Sequence, residues 1–308
     1  MRILITGGAG FLGMHLATSL IEMGHDVVAM DNLYTGSRQN VEKFSVLNSF
    51  KFIEHNVITP YFVEVDGIFN LACPASPSHY QKYPVETLKT NILGTINALD
   101  LAKKLEIPIL QASTSEVYGN PQVSPQPESY WGNVNPFGTR SCYDEGKRAA
   151  ETLFFDYRNQ FNVDIRVARI FNTYGPFMAK NDGRVISNFI VQALENKNLT
   201  VFGDGSQKRS FCYVDDLIEG LIKLFFDTKA QIPVNLGNPD AVSILEVAQE
   251  VVKLTGSGSE ITFKSLPLDD PMDREPDISL ASSLINWRPK VDRKLGLART
   301  IEYFRSVS

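Results

Sequence analysis

The chain has 308 residues, with 30 Lys+Arg against 35 Asp+Glu, a formal net charge of −5 and 43% hydrophobic residues. A chain of this length and composition buries roughly three quarters of its unfolded surface without staples, and with no basic excess it does not read as a binder of nucleic-acid polymers. The three cysteines are odd in number, far apart and form no C-x-x-C, and the four histidines join no Cys or acidic cluster, so buried thiols in a reducing cytoplasm and no metal site are expected.

Residues 3–21 carry no Lys, Arg, Asp or Glu and follow Arg2, a pattern shared with signal peptides and membrane spans. Its glycines at 7, 8, 10 and 13 are poor material for a helix in lipid. The segment divides instead into a strand (Arg2–Thr6), a turn (7–10) and a helix (11–23), and no other segment is apolar enough to suggest a membrane partner. The spacing Gly7-x-x-Gly10-x-x-Gly13 reads as plain turn chemistry or as a phosphate cradle. In a cradle, one glycine makes the tight turn, one lets backbone approach a pyrophosphate, and one lets helix meet strand. The first helical turn then offers free N–H groups and a positive dipole end. A second strand, 25–31, ends in Asp31, 18 residues after Gly13, where a carboxylate accepts both ribose hydroxyls and repels a 2′-phosphate. NAD is therefore favoured over NADP, with Arg38 as the nearby residue able to soften that preference.

Further strands are read at 50–54, 67–72, 107–113 and 163–170, and helices at about 84–105 and at 143–161. Short apolar runs alternating with amphipathic helices predict an α/β fold with a doubly wound parallel sheet covered on both faces. In such sheets ligands bind beyond the carboxyl ends of the strands, which places chemistry after Thr6, Ala72, Ser113 and Arg169. Past about residue 171 loops rich in Gly, Pro and Asn loosen the pattern. We expect a dinucleotide-binding Rossmann domain from 1–171 plus about 209–243, the run 232–236 returning a strand to its sheet. A smaller α/β substrate domain would take about 172–208 plus 244–308.

Tyr143 and Lys147 stand at i and i+4 on one helix face. A Y-x-x-x-K spacing occurs by chance, but here it follows the fifth strand, which ends in Ser113-Thr114-Ser115-Glu116, and lies downstream of the glycine turn. An adjacent ammonium and a pyridinium would stabilise tyrosinate, which takes a hydroxyl proton while NAD takes the hydride.

With Thr6-Gly7-Gly8-Ala9-Gly10-Phe11-Leu12-Gly13, Ser113 to Gly119, Tyr143-x-x-x-Lys147 and Arg169 to Pro176 in this order, the chain resembles the extended short-chain dehydrogenase/reductase family, which modifies nucleotide sugars. Leu71-Ala72-Cys73-Pro74-Ala75-Ser76-Pro77, Cys142 to Arg148, Asn181 to Val185, Asp269-Asp270-Pro271 and Arg274 to Ile278 are similar to the branch of that family that decarboxylates UDP-glucuronate. The likeness runs from residue 1 to about 306. One departure is His55-Asn56-Val57, where the family usually has an acid after His.

The resemblance implies NAD-dependent decarboxylation of UDP-glucuronate to UDP-xylose through a 4-keto sugar, with Tyr143 as base, Thr114 on the C4 oxygen and Lys147 on the nicotinamide ribose. Related 4,6-dehydratases carry Asp-Glu where this chain has Ser115-Glu116. Dehydration needs an acid for the departing hydroxyl, whereas a second carboxylate would repel a uronate, so neutral Ser115 favours decarboxylation. A dehydratase or 4-epimerase is the alternative activity, and a dinucleotide-sensing protein without turnover is the alternative class. Glu116 orders the sugar or a water near C5, or is a structural carboxylate. Asn32, Thr35, Gly36, Asn56, Val57, Leu71, Ala72 and Ser113 join Phe11, Leu12 and Asp31 in the implied cofactor set. Arg209 and Arg274 resemble the family's diphosphate-binding arginines, with the substrate carboxylate as the other partner for Arg274. Gln207, Asn172, Arg184, Val185 and Asn188 are expected substrate contacts, against a surface role for Arg184 and packing for Val185. Tyr80 either touches the sugar or packs its loop. A homodimer through helices 84–105 and 143–161 is implied by the family alone.

Overall fold

The computed structural model describes residues 1–266 and 273–307, and the Asp269-Asp270-Pro271 motif lies outside the described residues. Six strands read in the sequence form one parallel sheet: β1 (Arg2–Thr6), β2 (Asp26–Asp31), β3 (Phe50–Glu54), β4 (Gly67–Asn70), β5 (Ile109–Thr114) and β6 (Ile165–Ile170). Across the sheet the order is Pro233–Leu236, β6, β5, β4, β1, β2, β3, so the segment expected to return joins at the edge, parallel to β6. The order reverses between β1 and β4, which is where a doubly wound sheet opens a crevice at its carboxyl ends.

Helix α1 (Phe11–Glu22) and the helix Val214–Phe226 bury Leu16, Leu20, Leu217 and Leu221 on one face of the sheet. Helices Thr95–Leu105 and Ser141–Phe161 bury Leu99, Leu101 and Phe154 on the other. The central strands are not wholly apolar, and their polar side chains satisfy one another. Thr6 Oγ1 donates to Asn70 Oδ1 (2.6 Å) and Asn70 Nδ2 to Gln111 Oε1 (2.8 Å), linking the ends of β1, β4 and β5 without orphaned groups.

The helix expected over 84–105 is interrupted. It runs as Pro84–Lys89, a π turn at Thr90–Gly94, and Thr95–Leu105. Buried Asn91 in that turn bonds to the Thr87 carbonyl (3.2 Å), and a Cβ on Gly146 would lie 2.8 Å from the Asn91 amide. The widened turn seats Asn91 against the only kind of residue the facing helix can present there. The same side chain also hydrogen-bonds Cys73, in the loop after β4.

The remaining residues build a smaller α/β unit. Lys208–Ser210 pairs antiparallel with Ala241–Ser243 and parallel with Asp273–Arg274, so the expected domain borders at 209 and 243 sit in one small sheet. Helix Val185–Leu194 packs on Ile244–Thr255, whose start carries a Ser243/Glu246 capping box. Among the described residues no helix is long and apolar enough to cross a membrane.

Candidate active site

One cavity of about 1140 Å³ runs from the glycine turn, over the carboxyl ends of the strands, to the smaller unit. Every residue expected in the site lines it except Gly36. A Cβ on Gly36 would stand 3.0 Å from the Asp31 carboxyl and 2.9 Å from Ala9 Cβ, so this glycine lets its loop close on Asp31 and does not face the cavity.

The dinucleotide end fits NAD. Gly7 has φ +72°, and a Cβ there would meet the Ala72 backbone at 3.0 Å, while one on Gly13 would lie 2.4 Å from the Gly7 carbonyl. Helix α1 begins with no side-chain cap and no acid in its first turn, leaving its N–H groups and dipole to a pyrophosphate. Asp31 is buried and accepts from the Ala9 (3.1 Å) and Leu33 (2.8 Å) amides. Burial raises its pKa, against those backbone donors, and each oxygen retains acceptor capacity for a ribose hydroxyl. Arg38 pairs with Glu54 at 2.5 Å on the surface and does not line the cavity, so it brings no charge to a 2′-phosphate.

At the centre, Thr114 ends β5 and caps the 3₁₀ turn Ser115–Tyr118, its hydroxyl accepting from the Glu116 amide (3.2 Å). Tyr143 projects from the first turn of Ser141–Phe161 and is buried. Lys147, one turn on, donates to the Ala112 carbonyl (2.8 Å) and lies 5.9 Å from the Tyr143 ring centroid. Ser113 turns its hydroxyl to Glu151 (2.5 Å), which Arg169 grips with two nitrogens (3.0 and 2.7 Å). That pair fixes the strand end beside Lys147.

The tyrosinate was expected from Lys147 and a pyridinium together, and the surroundings of Tyr143 set what that pair has to overcome. Burial, then Cys73, raise Tyr143 well above the usual phenol value, and a hydrogen bond with Thr114 offsets only part of this. Burial also lowers Lys147, because neither charge is solvated.

Tyr80 lines the cavity and packs on the Tyr143 helix. Its ring stacks on Tyr143 (centroids 5.0 Å apart, planes 9°), and its buried hydroxyl has no partner among the described residues. Beyond it lies a charge cluster that the sequence reading half missed. Arg140, which precedes the helix, forms a short ion pair with Glu116 and stands 3.7 Å from Asp144. Arg274 is 1% exposed, approaches Glu116 at 3.1 Å and donates to the Gly119 carbonyl. Burial alone would raise Glu116, but Arg274 and Arg140 outweigh it and hold the carboxyl down at about 2. Asp144 goes the other way, pushed up to about 7 by burial and by Glu116. Arg274 therefore belongs to the Glu116 end of the cavity. The available signal for Arg140 was its i, i+4 spacing from Asp144. Ser115 is buried, lines the cavity and makes no hydrogen bond through its hydroxyl among the described residues.

Of the remaining expected contacts, Arg184 departs most from its assignment. It pairs with Asp182 (2.5 Å) and lies 5.8 Å over the Phe11 ring, which puts it at the glycine turn and not at the sugar end. Val185 opens the helix that Arg184 precedes, and Asn188 Nδ2 bonds the Gly183 carbonyl (3.1 Å). Gln207 and Arg209 are buried in the small sheet and its approach, and Gln207 Oε1 has no partner among the described residues.

Comparison with known proteins agrees with this geometry. Residues 3–237 match the sequence profile of the NAD dependent epimerase/dehydratase family. The chain is 54% identical over 304 residues to UDP-glucuronic acid decarboxylase 1 of Xenopus tropicalis, covering 99% of this chain and 72% of that one. It is 53% identical over 306 residues to UDP-glucuronic acid decarboxylase 3 of Arabidopsis thaliana, covering 99% and 89%. Among solved structures, UDP-glucuronic acid 4-epimerase from Bacillus cereus, in complex with UDP-glucuronic acid and NAD, superposes with a TM-score of 0.90 at 28% identity, covering 100% of both chains. With the matched region spanning the glycine turn, the Thr114 strand end and the Tyr143–Lys147 helix, the chain belongs to the NAD dependent epimerase/dehydratase family.

Proposed function

We propose that the protein is a UDP-glucuronate decarboxylase that makes UDP-xylose and keeps its NAD through the cycle. The observation that carries this reading is the reacting end of the cavity. Two arginines flank one carboxylate already bound to both, and neutral Ser115 stands beside them. Such a site accepts a uronate and offers no free acid to expel a hydroxyl. The relatives with this name match at over half identity along nearly the whole chain.

The glycine turn, Asp31 and Arg184 hold the cofactor. When bound, NAD accepts the hydride from C4 and later returns it. Tyr143, fixed by the Tyr80 stack and bonded to Thr114, takes the C4 hydroxyl proton as that carbon is oxidised. Once C4 is a ketone, the C5–C6 bond breaks, its electron pair stays behind as a C4–C5 enolate and CO2 leaves; C5 takes a proton from solvent, and Tyr143 returns its own to the C4 oxygen as C4 is reduced. Glu116 is ionised across the neutral range, so it accepts hydrogen bonds near C5 and is not the acid. Asn172, Asn188, Gln207 and Arg209 take the UDP, where guanidinium suits paired phosphate oxygens.

The test is purified protein with UDP-glucuronate and NAD. CO2 and UDP-xylose are expected with no net NADH. UDP-galacturonate without CO2, or dehydration of dTDP-glucose, would replace this reading with epimerase or dehydratase chemistry.

The protein pairs as a homodimer through the run Pro84–Leu105, π turn included, and Ser141–Phe161, where Val85, Leu88, Leu93, Phe155 and Phe161 are exposed. Sedimentation is expected to give twice the chain mass, and Phe155→Asp to give the monomer. Free Cys73, Cys142 and Cys212 suit a cytoplasmic setting.

A further inference from the structure

The loop after β4 and the loop that leads into Val185–Leu194 meet at the dinucleotide end of the cavity. Ser78 Oγ donates to the Asp182 carbonyl (3.1 Å), 104 positions along the chain. Gly183, with φ +83°, completes the contact, since a Cβ there would stand 2.7 Å from the same Ser78 oxygen. Ser76, Pro77 and His79 line the cavity from one side and Asp182 and Gly183 from the other, while Ser78 does not line it. The contact therefore joins two walls of the cavity, protein to protein. It stands by the phosphate cradle, because the next residue, Arg184, pairs with Asp182 at 2.5 Å and lies 5.8 Å over Phe11, which opens α1.

The first loop is also held from within and from behind. Ser76 Oγ lies 3.2 Å from Ser78 Oγ and 2.7 Å from His79 Nδ1. A hydroxyl has one proton, and Ser78 spends its own on Asp182, so Ser76 donates to Ser78 and His79 to Ser76. Tyr34, from the loop after β2, donates to the His79 carbonyl (3.2 Å) and sets its ring against those of His79 and Tyr83.

We propose that Ser78 and Gly183 form a clasp that closes these loops over bound NAD and must open for the cofactor to enter or leave. The inference deepens the reading that the enzyme keeps its NAD through the cycle, and rests on it. Retention matters there because a cofactor lost after the first hydride transfer would strand the sugar as a ketone. Ser78 is thus a positioning residue, acting on the cofactor through the second loop.

The test is the rate at which NADH leaves the loaded enzyme, followed by its fluorescence after a chase with excess NAD. Ser78→Ala removes the bond and no atom that lines the cavity. It is expected to speed release by about two- to tenfold, the worth of one hydrogen bond. Tyr34→Phe, which frees the same loop from behind, is a second variant expected to speed release, and the double variant should exceed either. Inhibition by UDP-xylose should not change, whereas a general loosening of the fold would weaken it too. Diluted without added NAD, Ser78→Ala is expected to lose turnover that added NAD restores, while the unsubstituted enzyme keeps its own. Release that is slow in the unsubstituted enzyme and no faster in either variant would overturn the clasp alone, as would a matching loss of UDP-xylose inhibition. Release from the unsubstituted enzyme faster than turnover of UDP-glucuronate would overturn the retention reading, and this inference with it.

Discussion

Tyr143→Phe is expected to lower turnover of UDP-glucuronate by about 10²–10⁴-fold, the usual worth of a positioned general acid–base group, while changing substrate affinity by no more than a few-fold. The substitution removes only the hydroxyl. The stack on Tyr80 and the place of the ring on its helix depend on the ring itself, so the cavity keeps its shape. What goes is the one group bonded to Thr114 that can take and return the C4 proton. Stopped-flow absorbance on mixing NAD-loaded variant with substrate should show no transient NADH, because oxidation at C4 precedes everything else. CO2 release at the unsubstituted rate would remove Tyr143 from this role. Thr114→Val makes a graded comparison. It deletes the hydrogen bond that partly offsets the burial of the phenol, and should push its proton affinity further up.

The sequence made the dinucleotide end legible because backbone geometry forces residue type there. A side chain at position 7 would be strained at φ +72° and meet the Ala72 backbone at 3.0 Å, and one at position 13 would lie 2.4 Å from the Gly7 carbonyl. The parallel sheet likewise followed from alternation, and the run 232–236 was expected to return to it, as Pro233–Leu236 does. The π turn at Thr90–Gly94 was not legible, because its Asn91 packs against Gly146 on another helix, more than fifty positions away. The same limit explains the arginines. Arg184 sits near the sugar contacts in sequence but over Phe11 in space. Arg274 resembled a phosphate ligand until Glu116 was seen against it. Beyond the i, i+4 spacing of Arg140 and Asp144, partners brought together from positions 116, 140, 144 and 274 leave no local spacing to read. Their effect on one another, Glu116 held down and Asp144 pushed up, depends on shared burial.

Glu116→Gln is expected to cost about 3–5 kcal/mol of stability together with activity, because removing one member of a buried ion pair strands the other. Arg274 is the member at risk, being 1% exposed and left with the Gly119 carbonyl as its remaining acceptor. Denaturant midpoints measure the loss. Adding Arg274→Met should recover part of the stability and none of the activity, since an apolar replacement removes the stranded charge but not the need for it. Acid titration gives an independent check. The carboxyl of Glu116 is lowered from its ordinary 4.5 to about 2. Its contribution is therefore complete above about pH 4.5 and is lost as pH falls toward 2. The unsubstituted protein should lose stability across that window, and Glu116→Gln should lose less. At the other end of the cluster the change runs opposite. Ionised Glu116 helps to keep Asp144 protonated, so without it Asp144 should ionise at lower pH and pair with Arg140.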